Sequence, residues 1–432
     1  MKKALIITYY WPPKGGAGVQ RWLKFAKYFR DFGWDPIIYT PEGGKVPVYD
    51  YSLLEEIPEG IQIIKRPIWE PYLWYEKLFH KGKEGGVYDI QFSEQSQSTW
   101  KGKIVNWIRS NLFIPDARKF WIGPSVKFLN NYLSENKIDV LISTGPPHSM
   151  HLIAYRIAQK RKLPWLADFR DPWTQIDYYH QLLLTKWADR RHRQLEHKVL
   201  TTAERVVTVS WGWARELERL GAGHVDVITN GYDEADFQIG DCKNFEYFRL
   251  THIGSLNKDR NPNQLWNALQ ELVGENSILK GILKIQLIGP VDEEALRSIR
   301  YFGLQENLEH VNYVDHNRIG EYICGSHLLL LLINNTPNVQ GIIPGKLFEY
   351  LYSKRPILCV GDPKGDSGKI LNETGAGVTV HFKDKEKMKE VIAKHYQYFI
   401  DRQFVSVESG QLEKYSRKVL TQKMVKILNG MI

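Results

Sequence analysis

Short apolar runs alternate with longer amphipathic stretches along most of this chain. Ala4 to Tyr10 reads as a strand, and Val19 to Phe32 carries the spacing of an amphipathic helix. Pro36 to Thr40 and Ile61 to Ile64 read as the next two strands. From Trp69 to Trp121 the alternation breaks, and the sequence turns aromatic, basic and irregular. It resumes with Val126 to Leu133 as helix, Asp139 to Ser143 as strand and His151 to Lys162 as helix. Trp165 to Ala167 and Val206 to Ser210 are further strands.

A crossing point falls at Ile228 to Asp233, where a short strand ends in the turn pair Asn230-Gly231. The alternation then restarts. Tyr247 to Ile253, Leu283 to Ile288, His310 to Val314, Leu328 to Ile333, Pro356 to Val360 and Gly377 to His381 read as strands. Asn263 to Leu272 reads as a helix. Alternation of this kind predicts an α/β protein with mostly parallel sheets covered on both faces. Two such halves predict two doubly wound, Rossmann-like domains facing across a cleft, with ligands at the carboxyl ends of the strands. The expected boundaries are 1–231 for the first domain, with an insertion at about 69–121, and 232–405 for the second. A basic helical tail at 406–432 is expected to pack back on the first domain.

Size and composition agree with this picture. At 432 residues the chain exceeds one ordinary core. Its 43% hydrophobic and 25% charged content fits a water-soluble globular protein. A net charge of +9 favours an anionic partner such as a nucleotide or acidic lipid headgroups. No recognition motif points to nucleic acid. The 12% aromatic share suits sugar stacking, an interfacial surface or simply a large aromatic core. Cys242, Cys324 and Cys359 are widely spaced and match no metal-binding pattern, so they read as buried thiols of a reducing compartment. The longest apolar run, Leu328 to Ile333, is too short to span a bilayer. Met1-Lys2-Lys3 before an apolar stretch imitates a signal peptide, but the stretch is short and ends in Pro12-Pro13-Lys14 with no small-residue cleavage site. A cytoplasmic protein, with peripheral membrane contact open, is the resulting expectation.

Two turns carry candidate chemistry. Gly15-Gly16-Ala17-Gly18 follows the first strand, and Gly341 to Glu349 follows the run Leu328 to Ile333. A strand, a glycine bend and a helix start aim backbone N–H groups at one spot, which suits a phosphate. The first turn is not a complete dinucleotide fingerprint, since Arg21 stands where the last glycine would fall; it is either a tight connection or a place where a diphosphate nears the backbone. In the second, Pro344 suits a first helical turn, Gly345 permits close approach, Lys346 adds a cation and Glu349 lies one turn on, placed to accept ribose hydroxyls. The alternative for Lys346 and Glu349 is a charge pair that only favours the helix dipole. Arg260, after the strand end Gly254-Ser255, is either a diphosphate clamp or a solvated loop residue. His148 falls at a strand's carboxyl end, as a site residue or a satisfied histidine. Asp168, Arg170 and Asp171 are either cleft residues facing an acceptor or an internal arginine–carboxylate bridge.

With these residues in view, the chain resembles a GT-B glycosyltransferase of the broad family-4 kind, in a bacterial polysaccharide-synthesis branch. The resemblance spans essentially the whole chain. It rests on Pro12 to Gly16, Thr144 to Ser149, Ala167 to Trp173, Thr229 to Asp233, His252 to Leu256 and Pro344 to Leu351, in that order. It implies a nucleotide-diphosphate sugar donor bound mainly by the second domain, a glycan or lipid-linked acceptor bound mainly by the first, and transfer with retention. It implies no cofactor and no required metal. The carboxylate that holds the donor ribose matches Glu349, and the basic residue after the strand end matches Arg260. Its companion arginine falls on Ser255, so Lys346 is expected to supply that charge. The first acidic residue of the pattern falls on Gly341, where backbone amides would have to substitute. The first-domain histidine matches His148 more plausibly than His151.

The expected mechanism has the diphosphate leaving while Arg260, Lys346 and the helix start at Pro344 stabilise its charge. His148 would orient sugar or acceptor. Two other readings share the architecture: a nucleotide-sugar 2-epimerase and a non-catalytic nucleotide-sugar-binding protein.

Overall fold

The computed structural model describes every residue except 45, 47, 71–99, 237–245, 313, 315–317 and 409. Much of the expected insertion, and Cys242, lie outside the described residues. The chain divides into two compact units. Unit 1 is Met1–Thr229 with Arg417–Ile432, and unit 2 is Asn230–Ser416.

Unit 1 is built on a seven-stranded sheet in the order β3-β2-β1-β4-β5-β6-β7. The strands are β1 (Lys2–Ile7), β2 (Trp34–Glu42), β3 (Gln62–Pro67), β4 (Val140–Gly145), β5 (Trp165–Phe169), β6 (Arg205–Thr208) and β7 (Val225–Val227). All pairings are parallel. Helices α1 (Ala17–Phe29), α2 (Trp100–Leu112), α3 (Lys119–Glu135), α4 (Ser149–Arg161), α5 (Lys186–Thr202) and α6 (Trp211–Arg219) intervene. Two points differ from the sequence reading. The stretch 100–121 is largely helical rather than irregular, because apolar residues at 100, 104, 107, 108 and 112 keep one helical stripe that the interleaved charges disguise. The short strand read as ending in Asn230-Gly231 lies slightly earlier, as the three-residue β7.

Central parallel strands are buried on both faces, which is why they read as unbroken apolar runs. Successive residues of β1 go to opposite cores. Leu5 and Ile7 join the cluster with Ile37, Leu141 and α4 residues Ile153 and Ile157. Ala4 and Ile6 join the cluster with Trp22, Phe25 and Phe29 of α1.

Unit 2 holds a six-stranded parallel sheet in the order β10-β9-β8-β11-β12-β13. These are β8 (Phe248–Ile253), β9 (Leu283–Ile288), β10 (Leu308–Val311), β11 (Leu328–Leu332), β12 (Ile357–Val360) and β13 (Gly377–Val380). Its helices are α7 (Asn263–Glu275), α8 (Ser277–Ile282), α9 (Glu293–Tyr301), α10 (Ile319–Cys324), α11 (Lys346–Tyr352), α12 (Asp366–Thr374) and α13 (Lys385–Ile400). β11 is five leucines, all fully buried.

The last helix, α14 (Arg417–Asn429), belongs to unit 1. Leu420, Met424 and Leu428 enter the same cluster as α1. Asn429 ties it down by accepting from Lys2 Nζ at 3.0 Å and Trp34 Nε1 at 3.2 Å. Residues 406–416, placed with the tail by the sequence reading, cluster with unit 2 instead. Cys324 and Cys359 are buried.

Candidate functional site

In unit 2 the carboxyl ends of β8 and β9 make a close backbone junction. Gly254 and Gly289 have φ of +101° and +123°, values that favour glycine. A Cβ on Gly289 would stand 2.9 Å from the Gly254 carbonyl carbon, so the two strand ends meet without room for a side chain. A Cβ on Gly254 would stand 3.0 Å from Lys346 Nζ. Lys346, first residue of α11, donates to the Ile253 carbonyl and approaches His252 Nε2 at 3.3 Å. His252 Nδ1 lies 3.0 Å from the Leu330 carbonyl and must carry the proton there, which leaves Nε2 as the acceptor for Lys346. Burial first, and Arg260 second, hold the Lys346 amine well below the usual lysine range, while Glu349 acts in the opposite direction.

Arg260 sits in a 3-10 turn, Lys258–Arg260, beside the same strand end. Its Nε donates to Asn334 Oδ1 at 2.9 Å and its Nη1 to the Ser255 carbonyl at 2.8 Å. Tyr350, one residue beyond Glu349, accepts from the Ile253 amide at 3.0 Å and locks α11 to β8. Thus Gly254, Ser255, Arg260, Lys346 and Glu349 gather at the carboxyl end of β8. Pro344 and Gly345 lead into α11, and their carbonyls accept from the Leu347 and Phe348 amides at 3.0 and 3.2 Å. Gly341 departs from expectation. Its amide, and that of Ile342, bond to the Asn338 and Val339 carbonyls, so neither is left for a ligand.

Unit 1 carries a second candidate site, a cavity of about 250 Å3. Tyr10, Arg109, Phe113, Pro146, His148, Trp173 and Tyr178 line it, with Asp116, Arg118 and His192 among the rest. β4 ends at Gly145, and Pro146-Pro147-His148 delivers the imidazole there. Gly145 is obligatory: a Cβ would stand 2.5 Å from His151 Nε2. His148 stacks on Trp173 with ring centroids 4.5 Å apart and planes within 2°. The Trp173 indole donates to His192 Nδ1 at 3.0 Å. Burial, then the neighbouring His151 and His192, depress His148 well below the usual range, so it is neutral at physiological pH. Its Nδ1 is buried without a hydrogen-bond partner. His151 is fully enclosed, bonded to Ser143 Oγ at 2.8 Å and stacked on Phe169, and burial lowers its pKa to about 3.

Asp168, Arg170 and Asp171 do not line this cavity. Asp168 is fully buried and accepts from Arg21 Nε and Nη2, Trp22 Nε1 at 2.7 Å and Thr144 Oγ1 at 2.9 Å. The internal bridge therefore joins Asp168 to Arg21, not to Arg170, and Asp168 is a structural residue. Arg170 braces two turns, donating to the carbonyls of Gly18 and Pro146. Asp171 is half-buried, and burial raises its carboxyl above the usual range. The first glycine turn also differs from expectation. The Gly15 amide is spent on the Val48 carbonyl at 2.9 Å. Gly16, at φ +90°, caps α1, and Gly18 makes room for Arg170 Nη1, which would lie 2.8 Å from a Cβ. Close approach is needed there for the protein's own arginine.

The sequence reading missed Tyr10, Arg109, Trp173 and Tyr178 as cavity residues. Trp173 alone left a signal, as an aromatic directly after the charged turn at a strand end.

These two sites stand in a match to known proteins. Residues 99–231 match the model of the glycosyl transferase 4-like domain. That stretch contains α2, the Gly145–His148 turn, Trp173 and β7. No curated protein sequence matches the chain closely enough to count as a relative. Solved structures share its fold. Sucrose-phosphate synthase from Thermosynechococcus elongatus superposes with a TM-score of 0.63 at 12% identity, covering 100% of this chain and 99% of that one. HepE of Anabaena, in complex with UDP-glucose, gives 0.61 at 13% identity with 100% of both chains covered. A candidate UDP-N-acetylglucosamine 2-epimerase from Listeria monocytogenes gives 0.51 at 10%, covering 100% of this chain and 96% of that one. The fold is that of the GT-B glycosyltransferases: two Rossmann-like α/β units. Among the described residues, no helix is long and apolar enough to cross a membrane, and no group of three or more His, Cys, Asp or Glu could hold a metal ion.

Proposed function

We propose that this protein is a glycosyltransferase of the cytoplasm. It moves a sugar from a nucleotide-diphosphate donor to a hydroxyl of a glycan or lipid-linked acceptor, with retention and without a resident cofactor, in cell-surface polysaccharide synthesis. The observation that carries the reading is the gathering of Gly254, Arg260, Lys346 and Glu349 at the carboxyl end of β8 in unit 2. A bare strand end beside two basic side chains fits a diphosphate, and a carboxylate one helical turn on from Lys346 fits a ribose.

In the reaction the bond from the sugar's anomeric carbon to the diphosphate oxygen breaks. The acceptor oxygen bonds to that carbon from the same face. Its proton passes to an oxygen of the departing diphosphate. Arg260 and protonated Lys346 stabilise the charge left on the diphosphate, and preorganised groups of this kind contribute about 2.7–4 kcal/mol each. An arriving diphosphate adds negative charge beside Lys346 to that of Glu349, and so favours its protonated form. His148, neutral and lining the unit 1 cavity, orients a sugar or acceptor hydroxyl there.

The test is transfer kinetics after Arg260→Ala and Glu349→Ala. Each is expected to lower kcat/KM by about 2–4 kcal/mol equivalent, roughly 30- to 1000-fold. Near-normal values in both would reject the assignment. Donor incubated alone distinguishes the epimerase reading, which requires inversion of the sugar at C2 without acceptor. Nucleotide binding without turnover on any acceptor would leave the binding-protein reading.

A further inference from the structure

Helix α2 separates the unit 1 cavity from an exposed apolar face. Arg109, Ser110 and Phe113 turn toward the cavity. On the opposite side Trp100, Ile104, Trp107, Ile108 and Leu112 form one stripe at helical spacing, with Trp100 68% and Leu112 52% exposed. The face continues beyond the helix. Asn111 accepts from the Thr185 amide and donates to the Leu183 carbonyl, both at 2.7 Å, which seats exposed Leu183 and Trp187 beside the stripe. Exposed Phe120 and Trp69 pack edge to face at 4.7 Å and extend the apolar surface. Soluble monomers rarely leave so continuous a patch uncovered.

The surrounding charge selects the partner. Residues 100–120 and 183–198 together contain ten Lys and Arg against three acidic residues; of the ten, Arg118 is buried on Glu70 and Arg193 pairs with Asp189. Of the three acids, Glu196 is buried on Thr174, Asp116 is bonded to Ser149, and Asp189 is paired with Arg193. Tryptophans on one side of a helix with cations at the flanks match the interface of an anionic bilayer, where indoles sit at headgroup depth and cations meet phosphates. A protein partner would not require the excess of basic charge.

We infer that the α2 face, with Leu183 and Trp187, seats this protein on an anionic phospholipid surface. The cavity that contains His148 lies directly behind that helix, at headgroup level. The acceptor is then an amphiphile whose anchor stays in the bilayer while its polar end enters between Arg109 and Tyr178. This second step rests on the transferase reading; the surface itself does not.

The experiment is vesicle flotation of the full chain, with phosphatidylcholine alone and with mixed phosphatidylcholine–phosphatidylglycerol vesicles. Binding is expected only to the anionic vesicles and to weaken with salt. Trp100→Ala with Trp107→Ala, and separately Lys103→Glu with Arg190→Glu, are each expected to weaken it on the order of tenfold. Donor binding by unit 2, followed by thermal shift, should be unchanged in both. No binding, binding indifferent to lipid charge, or binding that survives both variants would overturn the inference. Vesicle binding without any sugar transfer would leave the surface standing and remove the transferase reading. Transfer to soluble and vesicle-borne acceptors at equal rates would leave the transferase and remove the lipid acceptor.

Discussion

Asp168 is predicted to act through stability rather than chemistry, and its replacement measures how much. Asp168→Ala removes the acceptor for Arg21 Nε and Nη2, Trp22 Nε1 and Thr144 Oγ1 at a fully buried position. Arg21 would retain only the carbonyls of Ile228, at 2.8 Å, and Thr229, at 3.1 Å, with its charge stranded. A buried ion pair broken from one side costs about 3–5 kcal/mol. The orphaned indole N–H adds about 1–3 kcal/mol. Because relaxation is shared, the expected loss is roughly 4–6 kcal/mol. Arg21→Met should cost about 3–5 kcal/mol, since Asp168 keeps the indole and hydroxyl donors. The double change Arg21→Met with Asp168→Leu should fall short of the summed singles by at least about 2 kcal/mol, as both charges leave together. Urea unfolding followed by tryptophan fluorescence gives these values, and Asp168→Asn serves if the alanine variant does not fold. Losses under about 1 kcal/mol, or additive singles, would refute the reasoning.

Other outcomes follow from the same geometry. Lys346 has a folded-state pKa depressed by burial, so it is neutral in the free protein at high pH and regains a proton when a diphosphate binds. Nucleotide-diphosphate binding should therefore take up a proton and weaken as pH rises, by up to about tenfold per unit; calorimetry in buffers of different ionisation enthalpy should show this in the native protein and not after Lys346→Met. For stability the sign is the reverse: the unfolded chain binds that proton more tightly, so this group's contribution grows as pH rises toward the ordinary lysine pKa. Gly145→Ala places a methyl 2.5 Å from His151 Nε2 and should cost about 1–3 kcal/mol in the same urea assay while disturbing His148. Met424→Ala, which empties a fully buried position between α14 and α1, should cost about 2–5 kcal/mol. His148→Ala should lower transfer by roughly 100-fold while leaving nucleotide binding intact, as judged by kcat/KM against thermal shift.

Sequence patterning determined the two α/β units, since strands buried on both faces must be apolar throughout, as Leu328 to Leu332 are. It also carried the glycine ends Gly254 and Gly145 and the cations Arg260 and Lys346, because sites in such folds sit where strands end. Tertiary structure alone decided which polar groups are already spent. The Gly15 amide belongs to Val48, and Asp168 to Arg21. Such pairings join residues as distant as 147 positions, and no local pattern encodes them. The same limit hid the aromatic wall of Tyr10, Trp173 and Tyr178, brought together by packing from separate turns. Periodicity records which side of an element is buried; what each polar atom meets there is settled only when the elements close on one another.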